Sequence, residues 1–258
     1  EVWLAGGQSN MEWELQSCKE KDALVSDKNP NVRFYYTSKK NIRDKDFLEW
    51  ENNTCWKEFD SESAKCWSAV GYFFAKELAE KLGVTVGVIG CNWGGTSASY
   101  WMSRESLETD RDTNEYLLDI EKHSAGKTEE ELEKEWLDYR RYDSEWYQKR
   151  LVFYAEHPNG TWDEVQEYCG KNLYPGPCNP FNPMTATTLY ESMIKRVCPY
   201  TLKGFIYYQG ESDDQRPKTY YKLFTKLIQL WREDWGDNEL PFLFVQLPMH
   251  RFKADPDF

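Results

Sequence analysis

Short apolar runs along the chain alternate with longer segments in which apolar residues recur at helical spacing. The length and residue types of five runs are typical of buried strands. They are Val2 to Ala5, Val32 to Tyr36, Val84 to Cys91, Gly204 to Tyr208 and Pro241 to Leu247. Helices are predicted between them over Ser68 to Leu82, Thr185 to Val197 and Tyr220 to Trp235. This alternation predicts an α/β fold with a parallel central sheet and helices on its faces.

A charged, aromatic-rich segment from Glu105 to Pro183 interrupts the alternation. Thr128-Glu129-Glu130-Glu131 has the sequence of a capping box, and a long helix is predicted from Glu129 to about Ala155. We interpret the segment as a helical insertion within a single domain of residues 1–258, packed over one end of the sheet. A structural brace, a wall or lid facing substrate, and an oligomer contact are the alternatives for its role.

Composition and charge limit the kinds of molecule that the protein is expected to bind. The 258 residues carry 32 Lys and Arg against 44 Asp and Glu, a net charge of −12, which repels phosphate backbones and anionic lipid surfaces. Mean hydropathy is −0.82, and the longest apolar runs fall far short of the ~20 residues that a membrane span needs. We therefore expect neither a nucleic-acid partner nor a membrane partner; the oligomeric state is left open.

The cysteines and histidines give little support to a disulfide framework or a metal site. The seven cysteines are odd in number, and none forms a C-x-x-C pair. His123, His157 and His250 form no H-E-x-x-H motif and have no cysteine partner nearby. We expect reduced, buried thiols, which slightly favour the cytoplasm over secretion, with no metal and no cofactor.

Three blocks rich in small and polar residues directly follow predicted strands. They are Gly6 to Met11, Gly90 to Ser97 and Gln209 to Asp213. Each block stands at the carboxyl end of its strand, and in a parallel sheet these ends share one edge. The sequence therefore predicts that the three blocks converge on one site.

Ser9 is the candidate nucleophile of the first block. Two glycines let the backbone turn off the strand, and the hydroxyl is placed near the N-terminus of a helix predicted to start around Met11. The alternative is that Ser9 only caps that helix. A G-x-S-x-G nucleophile elbow is excluded, because Asn10 and Met11 follow the serine.

The other two blocks offer groups that could assist a nucleophile. Gly94 and Gly95 let a backbone N–H approach a reacting centre, as an oxyanion hole requires, although a simple turn is the alternative. Gln209 carries an amide donor, and Glu211 a carboxylate that could orient a histidine or act as a base. A solvated acidic turn, or a cation site that adds Asp213 and Asp214, are the alternatives for this block.

The order of these blocks resembles the sialate O-acetylesterase family within the SGNH hydrolases. The first block reads Glu1-Val2-Trp3-Leu4-Ala5-Gly6-Gly7-Gln8-Ser9-Asn10-Met11-Glu12, similar to the family's nucleophile block. The second, Asn92-Trp93-Gly94-Gly95-Thr96, resembles a W-G-G-T segment, and the third, Tyr207-Tyr208-Gln209-Gly210-Glu211-Ser212-Asp213, resembles W-Y-Q-G-E-[SA]-[ND]. The resemblance covers most of the chain except the insertion.

The resemblance implies a three-layer α/β/α fold and removal of acetyl groups from the hydroxyls of sialate or plant-glycan sugars through a serine acyl-enzyme. Ser9 is implied to be the nucleophile, and Glu211 to help orient the catalytic histidine. The oxyanion is implied to be held by the N–H groups of Ser9 and Gly94 and by the side chain of Gln209. The resemblance further assigns substrate contacts to Gln8, Asn10 and Trp93.

The chain departs from the family pattern at the general base, because it contains no D-x-x-H block. We expect the chain to be cut at both ends and the base to lie beyond Phe258, with His250 as a weaker candidate. A catalytically inactive carbohydrate-binding relative is therefore the alternative function. An SGNH lipase or thioesterase fits the acidic, tryptophan-rich composition poorly.

Overall fold

The computed structural model describes residues 1–19, 29, 31–60 and 62–248, and its centre is a six-stranded sheet. The strands are β1 (Val2–Gly7), β2 (Val32–Tyr36), β3 (Lys57–Glu58), β4 (Val86–Asn92), β5 (Gly204–Tyr208) and β6 (Phe242–Phe244). They lie in the order β3-β2-β4-β1-β5-β6, and every pair is parallel except β2 with β3. The predicted parallel sheet is confirmed, and β1, β4 and β5 are neighbours at its centre.

Nine α-helices connect the strands of the described residues. They are α1 (Ser9–Glu12), α2 (Phe47–Asn52), α3 (Ala69–Leu82), α4 (Arg104–Glu108), α5 (Arg111–Ser124), α6 (Glu129–Glu156), α7 (Trp162–Cys169), α8 (Lys195–Val197) and α9 (Pro217–Asp234). Short 3-10 turns lie at Leu15–Ser17, Ser63–Cys66, Ala98–Trp101 and Glu211–Asp213. The predicted helix over Ser68 to Leu82 is present as α3: the Ser68 side chain accepts the Gly71 N–H as its N-cap, and Gly83 ends the helix with a φ of 67°.

Two hydrophobic cores cover the two faces of the sheet. Leu4, Ile89 and Phe205 face one core, which α9 completes with Leu223, Leu227 and Trp231. On the opposite face, Ala5, Val88 and Ile206 pack against α3. Because neighbouring strand residues point to opposite faces, each central strand contributes to both cores. The result is the expected three-layer α/β/α arrangement.

The predicted insertion is helical, but its parts pack differently. Leu107 of α4 and Leu117 and Ile120 of α5 belong to the main core. Helices α6 and α7 have a small core of their own, made by Trp146, Phe153, Val165 and Cys169. The capping box at Thr128 is formed as predicted.

The structure differs from the predictions at two elements. The segment predicted as a helix over Thr185 to Val197 has a π-helical turn at Tyr190–Ile194 followed by α8. Thr187 has a φ of 74°, which a right-handed helix does not allow, so the helical segment begins after it. Strand β3 was not predicted, because two exposed residues give no apolar pattern.

The described residues contain no helix long and apolar enough to cross a membrane. All seven cysteines lie among them, and none forms a disulfide. Cys91 and Cys169 are buried, but Cys55 and Cys66 are exposed, so the expectation that the thiols are buried is only partly met. Burial raises the pKa of the Cys91 thiol to about 12.

Candidate active site

The first block turns sharply from β1 into α1. Gly7 has a φ of 137°, and a Cβ atom there would lie 2.2 Å from the carbonyl oxygen of Tyr208, so no side chain fits. Gln8 occupies the cap position of α1, and the exposed Ser9 is the first helical residue. Ser9 is therefore not the cap that the alternative interpretation assumed. Ser9 follows the carboxyl end of β1 and lies in the first turn of α1, where backbone N–H groups have no partner within the helix.

Gly94 brings the second block against Ser9. A Cβ atom at Gly94 would lie 3.6 Å from the Cβ of Ser9. The Gly94 N–H donates to Oε2 of Glu12, whose Oε1 accepts a hydrogen bond from Lys39. Ser9 and Gly94 are therefore close together, as predicted. The Gly94 N–H is hydrogen-bonded to the Glu12 carboxylate.

The third block is joined to the first through two side chains. Asn10 donates from Nδ2 to Oε1 of Glu211. The buried Gln8 accepts with Oε1 from the backbone N–H groups of Gly210 at 3.3 Å and Ser212 at 3.2 Å. Gln8 therefore connects the two strand ends, and Glu211 accepts from Asn10, the residue that follows Ser9 in α1.

Gln209 lies in the same edge, but its amide group is fully used within the protein. Its Nε2 donates to the carbonyl oxygen of Thr96 at 3.0 Å and to Oδ2 of Asp213 at 2.6 Å. Its Oε1 accepts from the hydroxyl of Tyr220 at 3.2 Å. Because an amide has only two N–H donors, these contacts do not support the predicted role of Gln209 as a third oxyanion donor.

Asp213 is the buried carboxylate of the site, and its side chain is 3% exposed. It accepts from the Ser97 hydroxyl at 2.6 Å, the Ala98 N–H at 2.9 Å, Gln209 at 2.6 Å and the Tyr116 hydroxyl at 3.3 Å. Burial raises the pKa of Asp213, and the hydrogen bonds from Ser97, Ala98 and Gln209 partly offset that rise. Asp213 thereby joins the second block, the third block and α5.

A cleft of about 420 Å³ opens beside Trp93, and we call it the Trp93 cleft. Its lining residues come from the segment after β2, from α6 and from the segment that precedes the π-helical turn. They include Lys39, Lys40, Asn41, Trp93, Trp136, Tyr139, Arg140, Asp143, Tyr174 and Asn182. The cleft therefore brings the predicted substrate-binding residue Trp93 together with side chains of the insertion.

A second cavity of about 340 Å³ has Gln209 in its lining and is mostly apolar. Tyr207, Tyr220, Phe224, Phe244 and Leu247 are among its lining residues. Ser9 and Gly94 do not line it.

The two described histidines lie in the helical segment rather than at Ser9. His123 contacts Glu135 at 3.0 Å and Lys127 at 3.2 Å. His157 stacks on Phe153 with 4.8 Å between the ring centroids. His250 lies outside the described residues. Within residues 1–19, 29, 31–60 and 62–248, no group of three His, Cys, Asp or Glu side chains could hold a metal ion.

Sequence reasoning missed Glu12 and Lys39, and it considered Asp213 only as a cation ligand. Glu12 stands in the first block and Asp213 in the third, so their position in motifs could have marked both. Lys39 stands in no motif, and its contact with Glu12 spans 27 residues.

Comparison with known proteins supports the resemblance. The family model for "Carbohydrate esterase, sialic acid-specific acetylesterase" matches residues 1–128 and 177–256. Residues 129–176, which hold α6 and α7, lie outside this match. The chain is also similar to a carbohydrate acetylesterase from Xanthomonas citri, with a TM-score of 0.62, 26% identity, and coverage of 96% of this chain and 41% of that one.

Curated relatives give the same result. Sialate O-acetylesterase from Rattus norvegicus is 26% identical over 279 residues, and that from Mus musculus is 24% identical over 280. Each alignment covers 100% of this chain and 45% of the relative. The chain therefore spans less than half the length of the curated relatives it matches.

Proposed function

The chain belongs to the sialic acid-specific acetylesterase family of carbohydrate esterases. We therefore propose that the full-length protein removes acetyl groups from sugar hydroxyls through a serine acyl-enzyme. The observation that carries the proposal is the position of Ser9. It is exposed, it begins α1, and Gly94 of a second strand end lies against it. An exposed hydroxyl beside backbone donors is what acyl transfer needs.

In the proposed reaction, Ser9 Oγ attacks the acetyl carbonyl carbon and gives its proton to a general base. The electron pair of the carbonyl moves to its oxygen, which the N–H groups of Ser9 and Gly94 stabilise. Collapse of this intermediate breaks the bond to the sugar oxygen, which takes the proton from the base. Water then hydrolyses the acetyl-serine by the same route and releases acetate.

The hydrogen bond between the Gly94 N–H and Glu12 must break before this N–H can bind the oxyanion. Oε2 of Glu12 now accepts that hydrogen bond, so the oxyanion must take its place. Lys39 already binds the other oxygen of Glu12 and can hold the displaced carboxylate. We propose that Glu12 and Lys39 position the Gly94 backbone between turnovers.

The remaining site residues have supporting roles in the proposal. Glu211 is placed by Asn10 and is the group that would orient a histidine base. Gln8 and Gln209 position the three strand ends through the hydrogen bonds already described. Trp93 contacts the part of the substrate that lies in the Trp93 cleft.

We propose that the base is a histidine outside the described residues, since His123 and His157 are occupied elsewhere. Because a general base contributes about 10²- to 10⁴-fold, His123→Ala and His157→Ala should each keep p-nitrophenyl acetate hydrolysis by the full-length protein within about threefold. Steady-state kinetics of both variants would check this. A hundredfold loss in one variant would identify that residue as the base instead.

The apolar cavity beside Gln209 favours a second candidate function, an esterase for longer acyl chains. We expect acetate esters to be the better substrates, because that cavity is not lined by Ser9 or Gly94. Rates on p-nitrophenyl acetate and p-nitrophenyl octanoate, together with acetate release from O-acetylated sialic acid, would test the two functions. Equal turnover of octanoate would favour the second candidate.

A further inference from the structure

We propose that the Trp93 cleft binds sugar units next to the acetylated one, so that the protein prefers acetylated oligosaccharides to acetylated monosaccharides. The inference rests on the proposed function and adds the substrate class. Trp93 lines the cleft and is followed directly by Gly94, which lies against Ser9, but Ser9 itself is not part of its lining. A ligand that fills the cleft and reaches Ser9 must therefore extend beyond the acetylated ring.

The walls of the cleft are held by hydrogen bonds to the backbone. The Tyr174 hydroxyl donates to the Gly95 carbonyl oxygen at 2.7 Å, which ties the insertion to the second block. Asn41 donates from Nδ2 to the carbonyl oxygens of Pro180 and Phe181, both at 3.0 Å. Asn182 does the same for Pro175 at 2.8 Å and Pro177 at 2.9 Å. Walls fixed in this way form a binding site without a large rearrangement.

The lining has the mixture of groups that a sugar requires. One face of a sugar ring is made of C–H groups, which pack on aromatic rings, and its edge carries hydroxyls. Trp93, Trp136 and Tyr139 supply aromatic surface, and Trp136 and Tyr139 stack at 5.7 Å between ring centroids. Arg140 and Asp143 supply a hydrogen-bond donor and an acceptor at the same wall. The volume of about 420 Å³ falls within the usual range for small-molecule sites, about 300 to 1,000 Å³.

The wall contributed by α6 and Tyr174 lies outside the family match. Trp136, Tyr139, Arg140 and Tyr174 fall between residues 129 and 176, whereas Ser9, Gly94 and Glu211 fall inside the matched ranges. The residues proposed for the chemistry thus lie inside the family match, and this wall lies outside it. We infer that this wall selects the sugars around the acetyl group and does not affect the acetyl transfer itself.

The test compares Trp136→Ala and Arg140→Ala with two control variants in the full-length protein. Trp162→Ala removes an exposed tryptophan of the insertion whose ring packs at a tilt against Trp146 and does not line the cleft. Arg141→Ala removes the neighbouring arginine, which pairs with Asp138. The substrates are p-nitrophenyl acetate, O-acetylated sialic acid, O-acetylated sialyllactose, acetylated xylose and acetylated xylotetraose.

We expect Trp136→Ala to lower kcat/KM about tenfold on an acetylated oligosaccharide, the size of effect that one pocket contact gives. Arg140→Ala should act in the same direction. Activity on p-nitrophenyl acetate and on the two monosaccharides should stay within about twofold, as should every activity of the control variants. Unchanged oligosaccharide kinetics, or an equal fall on all substrates, would overturn the inference.

A binding measurement separates this inference from the proposed function. Ser9→Ala should still bind the same oligosaccharide in calorimetry, and adding Trp136→Ala should weaken that binding about tenfold. If the unaltered protein has no esterase activity but this binding difference is seen, the proposed function fails and the cleft remains a sugar site. If the protein is active but the difference is absent, only the inference about the cleft fails.

Discussion

Ser9→Ala in the full-length protein is expected to lower kcat on p-nitrophenyl acetate by roughly 10³-fold or more, the scale seen when a serine nucleophile is removed. The reason is that an alanine cannot form the acyl-enzyme, and the other groups at the site only assist that step. The measurement is steady-state hydrolysis, with acetate release from O-acetylated sialic acid as the second substrate.

Ser17→Ala is the matched control, because Ser17 is also an exposed serine and ends a 3-10 turn near α1. It should behave as the unaltered protein does. Both variants should unfold at the unaltered midpoint, since each loses only an exposed hydroxyl. Activity of Ser9→Ala within a few-fold of the control would end the assignment of Ser9 as the nucleophile.

Asp213→Ala is expected to have the largest effect on stability. It leaves the Ser97 hydroxyl, the Ala98 N–H and one Gln209 N–H buried without their shared acceptor. An unsatisfied buried donor costs about 1–3 kcal/mol, so the free energy of unfolding should fall by at least about 3 kcal/mol. Urea unfolding would measure this. Asp214→Ala is the control, because Asp214 is half-buried, lies next in the chain and has a side chain outside this hydrogen-bond cluster. An equal fall in the unfolding free energy of Asp214→Ala would contradict the prediction.

The raised pKa of Asp213 also predicts the direction of a pH dependence. Below the ordinary aspartate pKa of about 3.9, the folded and unfolded chains both keep the proton. Above it, the unfolded carboxyl ionises first, so the Asp213 contribution to stability falls as the pH rises toward the folded pKa. The unfolding free energy of the unaltered protein relative to Asp213→Asn should therefore fall as the pH rises from about 4. A difference that increases with pH would show that the folded carboxyl ionises more easily than the unfolded one.

Local patterns were enough to predict the sheet and the three blocks. Runs such as Val32 to Tyr36 and Gly204 to Tyr208 are strands at the predicted positions. Parallel strands end at the same edge, so the convergence of Ser9, Gly94 and Gln209 followed from their place after each strand. These predictions needed only short-range signals and one rule of sheet geometry.

The hydrogen bonds within the site could not be predicted in the same way. Gln209 donates to Thr96, which is 113 residues away, and Asp213 accepts from Ser97 across 116 residues. Whether an amide faces a reacting group or a neighbouring loop depends on such distant partners. For the same reason, the sequence left the role of the insertion open, whereas the structure shows that Trp136 and Tyr139 line the same cleft as Trp93.

The contact between Tyr174 and Gly95 bears on how the insertion could change during evolution. Tyr174 binds a backbone carbonyl, a group that every amino acid carries, so the interaction asks for no particular side chain at the sheet edge. It does require a glycine at position 95, because a Cβ atom there would lie 1.9 Å from the Tyr174 hydroxyl. Substitution of the side chains on either side of Gly95 would therefore leave the donor and acceptor of this contact unchanged. The Tyr174 contact thus constrains the second block at position 95 and at no other side chain of that block.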